Sequence, residues 1–429
     1  MQTFGQNGGI VPPMSPPSRR PAPSAAARMN LATVLLRVVA SIGLAAVLVV
    51  APALTSKPDL KPVAQLFSGS VRNDQWQIDT LKAEKAWKIS TGAGVKVAVV
   101  DSGVAGNHPD LAGRVLPGTD LVEPGGDGSK DAVGHGTTVA GLIAGRNDDD
   151  RGVVGLAPDA QILPVRVLDG NNKYDDAKVV AEGVVWAVNN GARVINLSLG
   201  GKVISPALAE AIDYAFASDV VVVACVGNVL PDGSTTVWHP ASEPGVIAVT
   251  ALNQKGEPWR GALAGPQTVL AAPGTDLLGA KPGGYQRVQG TSFASPLVAA
   301  TAALIRSKWP QMSAANVVQR LIATARDEGT PGRDDGYGFG VVDPYAALTA
   351  EVPEVLTNPL DTTPPPGKSG FGAAAPEPSG VPSAPVTPSI APSTGFGPIP
   401  DGEKPIGLAA ALAGFAALVG GGLTLIRRL

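Results

Sequence analysis

Between residues 95 and 350, short β-branched and aliphatic runs alternate with stretches of helical spacing. Residues 95–100 (VKVAVV) read as a strand that ends at Asp101-Ser102-Gly103. Further strands are predicted over 161–168, 193–199, 220–225, 246–250 and 269–272, and helices over 138–144, 177–189 and 206–217. An amphipathic stretch ending at Trp87 precedes them, and a short helix to about residue 350 follows. Strands alternating with helices predict an α/β domain with a doubly wound parallel sheet. The near-continuous aliphatic strands agree, because such a sheet is covered on both faces. The apolar run 297–305 carries no charge until Arg306 and reads as a buried helix. Pro296 is tolerated only near a first turn, which places Ser292 at the mouth of that helix. A serine there has two readings, a helix cap or a nucleophile whose oxyanion uses the same unpaired N–H groups.

The flanks follow other patterns. Residues 1–28 are rich in Pro, Ser, Ala and Gly and are expected to be disordered. Residues 38–50, counted from Arg37, have the length of a signal-peptide core, with Ala51-Pro52-Ala53 as a small-residue cleavage pattern. Met29 is then an alternative start to Met1, and an uncleaved anchor is the alternative to cleavage. Residues 351–405 shift to Pro, Gly, Ser, Thr and Ala, with Pro364-Pro365-Pro366, and predict a linker. Residues 406–426 are long enough as a helix, about 32 Å, to cross a bilayer. Arg427 and Arg428 follow at once and assign residues 427–429 to the cytoplasm. The expected organisation is therefore 1–53 disordered terminus and signal peptide, 54–73 extension, 74–350 catalytic domain, 351–405 linker and 406–426 transmembrane helix. That places the domain on the outer side of a cell membrane, held by a single pass.

Composition narrows the chemistry. A net charge of −3 over 429 residues gives no nucleic-acid signature. Cys225, the lone cysteine, has no internal disulfide partner and follows a buried-strand run, so it reads as a small core residue. The chain has three histidines, His108, His135 and His239. His108 and His239 both precede proline in loop-like contexts, whereas His135 stands between glycines at a helix start. Asp101 closes a core strand, where ligands gather in open α/β sheets. With Ser292 these give the order Asp, His, Ser, one of the orders in which an acyl-transfer triad occurs.

Val100-Asp101-Ser102-Gly103, Gly134-His135-Gly136-Thr137-Thr138-Val139-Ala140-Gly141 and Gly290-Thr291-Ser292-Phe293-Ala294-Ser295-Pro296 resemble the three signatures of the subtilisin-family (S8) serine proteases. The resemblance covers about residues 74–350 and implies a subtilisin-like sheet. It makes Ser292 the nucleophile, His135 the proton carrier and Asp101 its orienting carboxylate. Val226-Gly227-Asn228 is similar to the family's strand-end asparagine, so Asn228 and the N–H of Ser292 are the implied oxyanion hole. Ser198, Leu199 and Gly200 resemble the strand end on which a peptide docks, with Asn171 and Asn172 as the opposite wall. Val229 hints at an uncharged recess for the substrate. Between Ala53 and Asp74 there is no room for the prodomain of many relatives. Residues 147–152 stand where some relatives hold calcium. Their three carboxylates suit a hard cation, yet the favoured reading is a solvated acidic turn, with no metal or other cofactor required.

The signal segment, Asp74-Gln75-Trp76, the stretch Gly336-Tyr337-Gly338-Phe339-Gly340-Val341-Val342-Asp343-Pro344, the proline-rich linker and the terminal anchor together resemble the mycosins. These are membrane-anchored proteases associated with type VII secretion in actinobacteria. The resemblance implies polypeptide substrates and the type VII membrane complex as partners. It also leaves an alternative, a structural subunit of that complex whose proteolysis is dispensable for assembly.

Overall fold

The computed structural model describes residues 71–361, apart from Asp150, Asp232 and Ser234. The predicted signal peptide, transmembrane helix and cytoplasmic tail, and the linker from residue 362 on, lie outside the described residues. Among the described residues no helix is long and apolar enough to cross a membrane.

Seven strands build one parallel sheet: β1 (Lys96–Asp101), β2 (Thr119–Asp120), β3 (Gln161–Arg166), β4 (Val194–Leu197), β5 (Val221–Cys225), β6 (Ile247–Leu252) and β7 (Leu270–Pro273). Their order is β2-β3-β1-β4-β5-β6-β7. Every residue of β4 to β7 is buried, as the unbroken aliphatic runs require of strands covered on both faces. The helices α3 (His135–Ala144) and α6 (Thr291–Lys308) pack together, with α6 lying over β4 to β7. The helices α4 (Ala177–Asn189) and α5 (Pro206–Ala217) pack on each other, α4 against β1 and β3 and α5 against β5. The predicted α/β, doubly wound parallel sheet flanked by helices is the observed one.

Short polar residues start these helices. Asp176 accepts from Lys178 N and Ser205 from Leu208 N, each satisfying an N–H that the helix itself leaves open. The amphipathic stretch before β1 is not one helix. Lys82, in the left-handed region at φ 52°, divides it into α1 (Trp76–Thr80) and α2 (Ala83–Trp87). Four elements escaped the hydrophobic pattern: the two-residue β2, β8 (Leu277–Lys281) and β9 (Gly284–Val288) of a hairpin, and α7 (Ala314–Ala323) after α6. β2 is too short to show a period, and the hairpin's Lys281-Pro282-Gly283-Gly284 turn and mixed side chains hide its alternation. The short helix predicted to about residue 350 is α8 (Pro344–Thr349).

The sheet order places the candidate chemistry. After β1 the chain adds β3 and β2 on one side, then returns to add β4 to β7 on the other. The carboxyl end of β1 is thus a topological switch point, where an open α/β sheet forms its crevice. Asp101 stands there, between the loop after β3 and the segment after β4.

The domain extends past the predicted boundary at residue 350. Asn316 exchanges two hydrogen bonds with the backbone of Val355, at 3.1 and 2.9 Å. Asn358 donates to Gly245 O at 2.8 Å, and Gly245 N donates to Leu360 O at 3.2 Å. Side-chain amides, not an apolar stripe, fasten this segment, so its linker-like composition concealed the attachment. At the other end Val71 is buried against Val153 and Leu278.

Candidate active site

Asp101 is the last residue of β1 and is wholly buried. Its Oδ1 accepts from Ser102 N and from His135 Nδ1, both at 2.7 Å. His135 is the first residue of α3, also wholly buried. Gly136 allows this approach: a Cβ there would lie 2.1 Å from the carbonyl oxygen of Gly103 and 3.2 Å from Asp101 Cβ. The imidazole also meets the ring of Phe293, centroid to centroid at 5.1 Å.

A second carboxylate lies beneath this pair. Asp131 is buried and accepts at Oδ1 from Ser102 Oγ (2.9 Å), Gly134 N (2.7 Å) and Val133 N (3.2 Å). Its Oδ2 accepts from Thr137 N (2.9 Å) and Thr137 Oγ1 (2.5 Å). Gly136 N in turn donates to Ser102 Oγ at 2.9 Å. One carboxylate thus fastens the first turn of α3 to the loop after Asp101. Sequence reasoning missed it; the available signal was an acidic residue four positions before a histidine at a helix start. Burial pulls the His135 pKa down, but the charge and hydrogen bond of Asp101, joined by the charge of Asp131, outweigh it and leave it raised above 6.5.

Ser292 is the second residue of α6, buried, and its Oγ has no hydrogen-bond partner among the described residues. Gly290 at φ 150° and ψ 157° turns the chain into the helix. A Cβ on it would lie 3.3 Å from Ser292 Oγ and 3.7 Å from Asn228 Nδ2, so hydroxyl and amide flank one small space. Asn228, just beyond β5, accepts at Oδ1 from Thr291 N (3.1 Å) and Thr291 Oγ1 (3.0 Å), which fixes which end of its amide is the donor.

Ser198, Leu199 and Gly200 follow β4, one strand away from Asp101. The Ser198 hydroxyl is committed: it donates to Ser292 O at 2.6 Å, accepts from Asn196 Nδ2 at 2.9 Å and meets Ser295 Oγ at 3.0 Å. What this segment offers a peptide is therefore backbone. Asn171 and Asn172 lie after β3 in a turn closed by Asp169, which accepts from Asn171 N at 2.8 Å and Lys173 N at 2.9 Å. The two segments thus leave the sheet on either side of β1. The other histidines are structural: His108 Nε2 meets Gly284 O at 2.9 Å and His239 pairs with Glu243 at 2.8 Å.

The acidic turn is held by a guanidinium. Arg72 donates to Asn147 Oδ1 (2.9 Å), Asp149 O (3.0 Å) and Arg146 O (3.5 Å), while Arg146 pairs with Asp148. Arg72 thus ties the turn to the segment before α1 through backbone and amide oxygens.

This arrangement has known counterparts. The profile of the subtilase family (Peptidase_S8) matches residues 92–340. The chain belongs to the subtilase family. Its domain is that of a serine endopeptidase. Fervidolysin of Fervidobacterium pennivorans is 35% identical over 329 residues, covering 69% of this chain and 47% of that protein. Subtilisin E of Bacillus subtilis (strain 168) is 42% identical over 261 residues, 60% of this chain and 66% of that protein. The chain thus spans about half of one curated relative and just under two thirds of the other. The crystal structure of MycP1 from the ESX-1 type VII secretion system superposes with a TM-score of 0.60 at 33% identity, covering 65% of this chain and 86% of that one. The domain is closely related in structure to that mycosin.

Proposed function

We propose that this subtilase is a membrane-anchored, extracytoplasmic serine endopeptidase that cleaves proteins exported by a type VII secretion system. One observation carries the catalytic part: a buried carboxylate–imidazole pair at the sheet's switch point, its imidazole 5.1 Å from the ring of Phe293, the residue after a helix-mouth serine whose hydroxyl has no hydrogen-bond partner among the described residues. Likeness to a mycosin supports the location and the membrane complex as partner. The apolar span 406–426 and its two arginines support the anchor.

In this mechanism Ser292 Oγ attacks the scissile carbonyl while His135 Nε2 takes its proton. The Asp101 bond to Nδ1 holds the required tautomer and stabilises the imidazolium. The oxyanion is received by Asn228 Nδ2 and the Ser292 N–H; removing one such donor typically costs about 10²–10³ in turnover. Collapse breaks the C–N bond, the imidazolium protonates the leaving amine, and water then releases the acyl group from Ser292 by the same proton route. The substrate lies as an added strand along residues 198–200, with Asn171 and Asn172 on the far wall.

Fluorophosphonate labelling of the full chain tests this. Label is expected on the wild type and not on Ser292→Ala or His135→Ala. In cells, Ser292→Ala is expected to abolish processing of an exported protein. Secretion and complex assembly undisturbed by that variant, with no processed product in the wild type, would leave the structural-subunit role in its place.

A further inference from the structure

We propose that Trp238 plugs the recess that receives the substrate side chain on the acyl side of the scissile bond, restricting that residue to glycine, alanine or serine. The inference rests on the proteolytic reading above and names its substrate class.

A peptide docked along residues 198–200, with its scissile carbonyl oxygen at Asn228 and Ser292 N, turns the side chain next to that carbonyl between two backbone walls. One wall is Leu199-Gly200-Gly201 after β4; the other is Val226-Gly227-Asn228 after β5. Adjacent strands of a sheet hold such walls about 5 Å apart at their roots, and glycines on both would leave a deep slot. Trp238 takes that depth away. Trp238 N donates to Val226 O at 3.0 Å on one wall. His239 and Gly201 exchange two backbone hydrogen bonds, at 2.8 and 2.9 Å, on the other. The Trp238-His239 segment is therefore stitched across the bottom of the slot.

The indole itself fills the volume. A Cβ on Gly227 would lie 2.3 Å from Trp238 Cδ2 and 2.5 Å from Cγ, so the ring lies against the glycine next to Asn228. On the opposite wall a Cβ on Gly200 would lie 3.3 Å from Trp238 Cβ and 2.7 Å from His239 O. Trp238 is only 3% exposed, large as it is, which leaves the ring no room to swing aside. Cys225 Sγ, 3.8 Å from Leu199 O, adds a further tie between the walls. What is left of the slot suits a methyl or hydroxymethyl group.

The test uses the full chain and four peptides that differ only before the scissile bond, with Ala, Ser, Leu or Phe there. The wild type is expected to favour Ala over Phe in kcat/KM by about 10- to 200-fold, the range a tight pocket supplies. Trp238→Gly, or Trp238→Leu where the glycine variant does not fold, is expected to raise the Phe-to-Ala ratio at least tenfold. A wild type that turns over Phe as well as Ala, or a folded variant with an unchanged ratio, overturns the inference. Binding of product peptides ending in Ala or Phe to the Ser292→Ala chain, followed by anisotropy, reads the recess without chemistry. Equal binding overturns the inference. Preference for Ala with no turnover in the wild type upholds it and overturns the proteolytic reading instead.

Discussion

The charge on His135 links the site's geometry to its pH behaviour. Burial opposes the imidazolium, while Asp101 and Asp131 favour it and prevail. A general base works only when neutral, so kcat/KM is expected to fall with pH through an acid limb whose midpoint lies above 6.5. Asp131→Asn removes the more distant charge and keeps a polar side chain among the same donors. The limb of that variant should move to lower pH; an unmoved limb would show that Asp131 only braces the turn. Folding responds in the opposite sense. A pKa raised in the folded state stabilises the fold fully below the unfolded value, and that stabilisation is lost as pH rises through the folded value. The imidazolium thus favours the folded chain at acid pH, where the base is disabled. Cys225, the other nucleophile near the site, is silenced by burial, which pushes its thiol up to about 12.

At the scale of an element, α6 carries a fault and its repair. Pro296 is the sixth residue of the helix and has no N–H to give the carbonyl of Ser292 four positions back. The Ser198 hydroxyl supplies that bond at 2.6 Å. The segment expected to hold substrate thereby also secures the turn bearing the nucleophile. Ser198→Ala leaves a buried acceptor unpaired, and a loss of about 1–3 kcal/mol in urea unfolding is expected. Unchanged stability would mean that the carbonyl finds another donor. The sequence placed Ser292 correctly at the helix mouth, but Pro296 stands five positions past the first helical residue without ending the helix, because its missing bond is replaced from the segment after β4.

Over the whole molecule, one crossover reversal brings distant residues to a common edge. Asp101, His135, Asn228 and Ser292 span nearly two hundred positions, and they meet because β1 lies inside the sheet with later strands on both sides. The body that holds them includes residues 351–361, fastened by Asn316, Asn358 and Gly245. Asn358 is 1% exposed, and Asn358→Ala is expected to cost about 1–3 kcal/mol by thermal or urea unfolding. A neutral result would mark this segment as resting on the domain without supporting it.

The alternation of aliphatic and amphipathic runs determined the α/β class, five strand positions beside the first and the helices between them, because burial on both faces of a parallel sheet leaves a direct mark on composition. Local motifs likewise marked Asp101, His135 and Ser292, since glycines and strand or helix ends are written in adjacent residues, while Asn228 followed from resemblance to the family's strand-end asparagine. Only the tertiary structure decided how Asp131 clasps α3, how Ser198 repairs α6, how Arg72 occupies the acidic turn and how Trp238 lies on Gly227. Each of these is a contact between residues far apart in the chain or on opposite sides of a loop. A hydrogen bond or a filled space of that kind is fixed by the packing of elements, and no periodicity along the sequence records it.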